Sequence, residues 1–127
     1  MKYLLKIISI TLILGSCNSK VEYRNLITKK IIDLGEINPK DTIKFNVDIK
    51  NPNTEDTIFI KKISSDCNCT ILESDSFFLN PLSTISVKGV FIPKKDDTGL
   101  VVKKISINST ASYPFNLVEI KASVMRQ

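Results

Sequence analysis

From Thr42 to Lys50 the chain alternates without a break: Ile43, Phe45, Val47 and Ile49 on one phase, Lys44, Asn46, Asp48 and Lys50 on the other. A strict period of two gives a strand one dry face and one wet face, as in an antiparallel sheet packed on one side only. Asn51-Pro52-Asn53-Thr54 ends the run with turn formers. The pattern recurs. Thr57–Ile63 turns Ile58, Ile60 and Ile63 inward, and Ile85, Val87, Gly89 and Phe91 alternate with Ser86, Lys88, Val90 and Ile92. The last strand, up to Val124, carries Val118, Ile120, Ala122 and Val124 on one face.

Shorter runs complete the series. Lys30–Leu34 reads as a first strand, and Cys67–Leu72 as a brief one between two hydrophilic turns. Val101–Ile107 is strand-like, with Val102 out of phase with Ile105 and Ile107, which predicts a bulge. Asn80-Pro81 and Ser112-Tyr113-Pro114 mark turns, and Pro93–Gly99 a charged loop. No segment carries a helical stripe. Seven short alternating strands in about 100 residues predict an all-β fold, an immunoglobulin-like antiparallel β-sandwich. The cysteine, tryptophan and cysteine of antibody domains are missing, since the chain has no tryptophan.

The N-terminus makes a different kind of statement. Lys2 and Lys6 precede an apolar run from Ile7 to Leu14, followed by Leu14-Gly15-Ser16-Cys17. A basic start, a short apolar stretch and small residues at the cut make a secretory signal peptide. The run is far short of the roughly 20 residues that cross a bilayer. The layout resembles the bacterial lipobox, in which a leucine stands three places before a cysteine that is lipidated before cleavage. That resemblance implies a signal peptide at 1–16, lipidation at Cys17, a tether over 17–28 and a domain over 29–127. The expected location is the cell envelope, on a membrane, with the outer favoured over the inner. Each buried methylene contributes about 0.8 kcal/mol and stable attachment takes about two chains, which a lipoprotein cysteine supplies.

Loss of residues 1–16 from the 127-residue chain leaves 111, enough for one core. Losing Lys2 and Lys6 lowers the 18 basic residues to 16 against 13 acidic, a net +3 spread through the chain. Nucleic-acid binding would need a denser basic stripe, so no nucleic-acid partner is expected. The chain has no histidine. The usual general base near neutral pH and the imidazole metal ligand are therefore both absent, and no serine–histidine or cysteine–histidine pair can form. Glu55-Asp56 and Asp96-Asp97 read as solvated turns. No enzyme activity, cofactor or dedicated metal site is expected.

Several residues in order resemble a known family. Asp33-Leu34-Gly35-Glu36-Ile37 is followed by Phe45, Asn51, Ser65-Asp66-Cys67-Asn68-Cys69-Thr70, Pro81, Gly99 and the Ile120–Val124 strand. The series is similar to the bacterial domain of unknown function 1573, over about residues 29–125. The resemblance implies an exported or lipid-anchored protein, of the kind common in Bacteroidota, with a fold similar to Hydin-type immunoglobulin-like domains. It implies no biochemical activity. Three positions depart from the pattern: Asp66 separates Ser65 from the first cysteine, Asn68 replaces a glycine, and Leu82 stands where a glycine often follows the proline. The last departure predicts a turn of another geometry.

Cys67 and Cys69 admit three readings. On a strand, residues two apart lie about 6.6 Å from each other at ~3.3 Å per residue, the upper edge of disulfide separation, so a bridge needs a buckled chain. Export makes oxidation plausible, and such a bridge is a candidate for redox exchange. Two thiolates fall short of the four ligands zinc takes but suit copper(I). The third reading is a structural pair, one cysteine packed as a small apolar residue and the other at a bend.

Two smaller signals remain. Asp41-Thr42-Ile43 and Asp56-Thr57-Ile58 repeat one tripeptide that resembles the O-glycosylation acceptor of Bacteroidota, at Thr42 and Thr57. The same residues equally read as a turn, a strand start and a core position. The sequons at Asn68 and Asn108 need a machinery that the lipobox argues against. The functional expectation is a non-enzymatic envelope module that binds or supports a protein partner. The alternative is a thiol protein that uses Cys67 and Cys69 for redox exchange or copper(I).

Overall fold

The structure, a computed structural model, describes residues 25–73 and 76–126. The segment expected to be a signal peptide (1–16), the expected lipidation site Cys17 and the greater part of the expected tether lie outside these residues. Nine strands follow in order: β1 (Ile27–Thr28), β2 (Ile31–Ile37), β3 (Ile43–Lys50), β4 (Ile58–Ser65), β5 (Thr70–Leu72), β6 (Phe77–Leu79), β7 (Thr84–Phe91), β8 (Gly99–Ser109) and β9 (Phe115–Val124). They form a four-stranded sheet, β1-β3-β7-β5, and a five-stranded sheet, β2-β9-β8-β4-β6. The pairing of β2 with β9 is parallel and the remaining pairs are antiparallel.

Alternation explains which face each strand buries. On β3, Phe45, Val47 and Ile49 enter the core while Lys44, Asn46, Asp48 and Lys50 stay wet. Val87 and Phe91 of β7, together with Val118, Ile120, Ala122 and Val124 of β9, do the same from the two sheets. The core is the layer between them, built from side chains two residues apart.

Four local expectations are corrected. First, β1 begins inside the segment read as tether, with Leu26 buried beside it, and β6 was not foreseen. Strands of two and three residues are too short to display a period. Second, β8 shows no bulge: its ladder to β9 is regular from Gly99 to Asn108. Val101, Ile105 and Ile107 share the inward phase, and Val102 simply faces out. The irregularity lies across the ladder on β4, between Ile60 and Lys62, which is how Ile60 and Ile63 both turn inward.

Third, the cysteines are not on a strand; only Thr70–Leu72 is, and Cys67–Cys69 forms the turn before it. Fourth, Leu82 does not change the turn it occupies. It adopts φ +57°, the left-handed conformation that a glycine would take there. The Asp33-Leu34-Gly35 signature also gains a physical reason. β2 is irregular between Asp33 and Glu36, Gly35 sits there at φ +71°, and its N–H donates to Asp33 Oδ1 at 2.8 Å.

Candidate functional site

The register shows which loops share an end of the sandwich. Ile27 lies opposite Lys50, Lys50 opposite Thr84, Ile58 opposite Leu79, and Asn108 opposite Phe115. This end collects the entry of the chain at Asn25 and the turns at 51–57, 80–83 and 110–114. At the other end Ile43 and Thr70 both lie opposite Phe91, and Ile37 and Gly99 opposite Val124. The turn holding Cys67 and Cys69 is at this second end, where the chain crosses from the five-stranded sheet to the four-stranded one.

Backbone bonds build that crossover. Asp66 N–H donates to the Lys104 carbonyl at 3.0 Å, and Ile92 N–H to the Cys69 carbonyl at 2.8 Å, so the turn is held to both sheets. The Thr70 N–H donates to the Cys67 carbonyl at 3.4 Å, closing the turn, and Cys67 N–H donates to Ser65 Oγ at 3.3 Å. The turn brings the two cysteine Cα atoms to 5.2 Å, and a disulfide joins them. A strand could not do this; the bend that the bridge requires is supplied by the turn. Cys69 is buried in the core and Cys67 is half-buried. Thr70 Oγ1 lies 3.8 Å from Cys67 Sγ and 3.9 Å from Cys69 Sγ.

This geometry limits the chemistry. Sulfurs bonded to each other are not thiolate ligands, so copper(I) binding would first require reduction. An incoming thiolate would meet Cys67, the more exposed residue of the pair, before the buried Cys69. Among the described residues, no three cysteine or acidic side chains converge in a metal-binding group. Thr42 and Thr57 are both exposed, each at the entry to a strand, and they stand at opposite ends of the sandwich. In the second sequon, Ser109 is buried and Thr110 Oγ1 accepts from Phe59 N–H at 2.9 Å.

Sequence reasoning assigned Asn51 only the end of a strand. Its side chain is fully buried and joins two turns. Asn51 Nδ2 donates to the carbonyls of Asp56 (2.7 Å) and Leu79 (2.9 Å), and Oδ1 accepts from the N–H and Nδ2 of Asn53 (3.0 and 2.9 Å). Two donors and two acceptor sites are all used, so this polar group costs the core little. Also missed was a group of exposed apolar residues at the chain-entry end: Tyr113, Phe115 and Leu117. The available signal was phase. If Val118 and Ile120 face inward, Leu117 and Phe115 must face out.

The two sheets, their order and the predominantly antiparallel pairing define an immunoglobulin-like β-sandwich. The chain belongs to the family described as "Protein of unknown function (DUF1573)", whose model matches residues 26–124. No protein among the curated sequences matches it. In fold it is similar to a protein of unknown function from Porphyromonas gingivalis W83, at a TM-score of 0.68 and 16% identity. That likeness covers 77% of this chain and 46% of the other, so the chain spans less than half of that protein. A PapD-like domain of human CEP192 is similar at a TM-score of 0.61 and 12% identity, covering 84% of this chain and 88% of that one. The periplasmic chaperone SfaE is similar at 0.60 and 4% identity, covering 80% and 58%. Identities this low carry the fold and nothing more.

Proposed function

We propose that the protein is a non-enzymatic module of the cell envelope, anchored to a membrane through lipid on Cys17, with its loops presented to a protein partner. The observation that carries this reading is the two-ended layout of the sandwich. The chain enters at one end, through Asn25, and the Cys67–Cys69 crossover and the Pro93–Gly99 loop stand at the other. A tether at the entry end leaves the opposite loops free to meet a partner. The absence of histidine and the engagement of both domain cysteines in a disulfide fit a binding role better than a catalytic one. In this reading the disulfide ties the crossover rather than exchanging electrons.

The test is to follow processing in cells that make the chain. Cys17→Ala removes the sulfur that would accept the lipid, so an unprocessed precursor should accumulate. A Cys17→Ala chain that is still cut and released like the parent would overturn the anchoring. Thr42 and Thr57 are proposed as sugar acceptors on the repeated Asp-Thr-Ile tripeptide together with their exposure, and an added sugar mass lost in Thr42→Ala/Thr57→Ala would assign them.

A further inference from the structure

We propose that the chain-entry end of the sandwich, at Tyr113, Phe115 and Leu117, is a bilayer-contact surface that sets the domain's orientation on the membrane. The inference rests on the anchoring at Cys17 proposed above. The first observation is how much of these residues is uncovered. Tyr113 and Phe115 are 67% exposed and Leu117 57%, on the turn and the outer face of a sheet whose inner face is well packed. They line a groove completed by Asn25, Leu26 and Lys30.

The second observation is where the described chain starts. Asn25 Oδ1 accepts from Tyr113 N–H at 3.0 Å, so the chain enters the domain beside this aromatic residue. Seven residues lie between Cys17 and Asn25, so eight Cα-to-Cα steps join them. Even fully extended they span at most about 29 Å at ~3.3–3.6 Å each. A lipid on Cys17 would therefore hold the entry end close to the bilayer surface. There an aromatic body with one polar tip, as in tyrosine, sits favourably at the headgroup level. Lys29 and Lys30 are exposed at the same end, where flexible cationic side chains can meet headgroup phosphates. Glu55 and Asp56 in the neighbouring turn oppose deep insertion on that side, so the contact is made by the β8–β9 turn. Apolar side chains lying at such a boundary sit about 5–10 Å into it.

The chain has no tryptophan, so a single Trp reports one position. Phe115→Trp and Leu100→Trp both place the indole at exposed sites on the outer face of the same sheet. Leu100 lies eight residues along β8 from Asn108, the partner of Phe115. At ~3.3 Å per residue that is about 26 Å away. Each full-length variant, processed in cells and reconstituted in phosphatidylcholine vesicles, is measured with and without bromine on the acyl chains. Emission from Phe115→Trp should be strongly quenched by the brominated lipid and that from Leu100→Trp should not. Equal quenching at both positions, or none at position 115, overturns the proposal. The mass of the same sample separates the two readings. Lipid present on Cys17 without quenching defeats this inference alone, and lipid absent from Cys17 defeats the anchoring and this inference with it.

Discussion

Gly89 of β7 lies directly across the ladder from Phe45 of β3, and the ring of Phe45 fills the space where a Cβ at position 89 would stand. Three ring atoms, Cζ, Cε2 and Cε1, are the nearest neighbours of that vacant position. A glycine weakens a strand by removing its side chain from the packing. Here the loss is offset because a large buried ring takes over the missing volume. Glycine on the inward phase of β7 and phenylalanine on the inward phase of β3 are thus one structural decision.

Gly89→Ala should therefore be destabilising by about 1–3 kcal/mol, the cost of forcing an extra carbon into a packed core. Phe45→Ala should cost about 3–5 kcal/mol, and Lys44→Ala, on the wet phase of the same strand, close to nothing. Adding Gly89→Ala to Phe45→Ala should cost less than Gly89→Ala alone, because the new methyl enters the vacated space. Urea melts of the parent, Gly89→Ala, Phe45→Ala and the combined variant form a double-mutant cycle. Strict additivity would show that the two residues do not share that volume.

Asn51 should be the most sensitive polar position. Asn51→Ala strips the partners from two carbonyl groups and two donors of Asn53, and leaving a buried group unsatisfied costs about 1–3 kcal/mol apiece. Asn51→Leu should fare no better, since it restores bulk but no hydrogen bonds. A thermal melt within a degree or two of the parent for either variant would contradict the role given to this side chain.

Leu82 offers the opposite sign. A side chain in the left-handed conformation costs roughly 1–2 kcal/mol, part of which glycine returns through its freedom in the unfolded chain. Leu82 is exposed, so little packing is lost on its removal. Leu82→Gly should be neutral to stabilising, by up to about 1 kcal/mol, and Leu82→Val destabilising because a β-branched residue tolerates that conformation least. Calorimetry on the pair reads the order directly, and a valine variant more stable than the glycine one would contradict the assignment.

These residues show what could be read from the chain alone and what could not. The phases of β3, β7 and β9 were legible because each strand buries a single face, which writes a period of two into the sequence. β1 and β6 were not, because so few residues hold no period. Val102 misled because an exposed apolar residue on the outer phase looks like an inner one out of step. The cysteine pair was legible as a pair, but a turn and a strand place the same two residues in very different geometry. Leu82 was read as a change of turn because composition does not reveal that surrounding bonds can hold a leucine where a glycine would rest. Such bonds include Leu82 N–H to the Asn53 carbonyl and Asn51 N–H to the Ser83 carbonyl, both 3.0 Å.

Cys67→Ser/Cys69→Ser should destabilise the domain without unfolding it. A ring closed over three residues restrains the unfolded chain by only about 1.6 kcal/mol, less than a bridge spanning a long loop. The serine hydroxyl at buried position 69 adds about 1–3 kcal/mol if it finds no partner. Reductant should lower the melting temperature of the parent and leave the double variant unmoved. A double variant as stable as the parent that has lost a thiol- or copper-dependent phenotype would favour the redox reading over the structural one.

The most direct measurement of the anchored module is the intact mass of the protein extracted from envelopes in detergent. A chain running from Cys17 to Gln127, heavier than its 111 residues by the mass of a diacylglyceryl group, with or without a further acyl chain, is the expected result. A mature chain that begins at any other residue and carries no added lipid would contradict it.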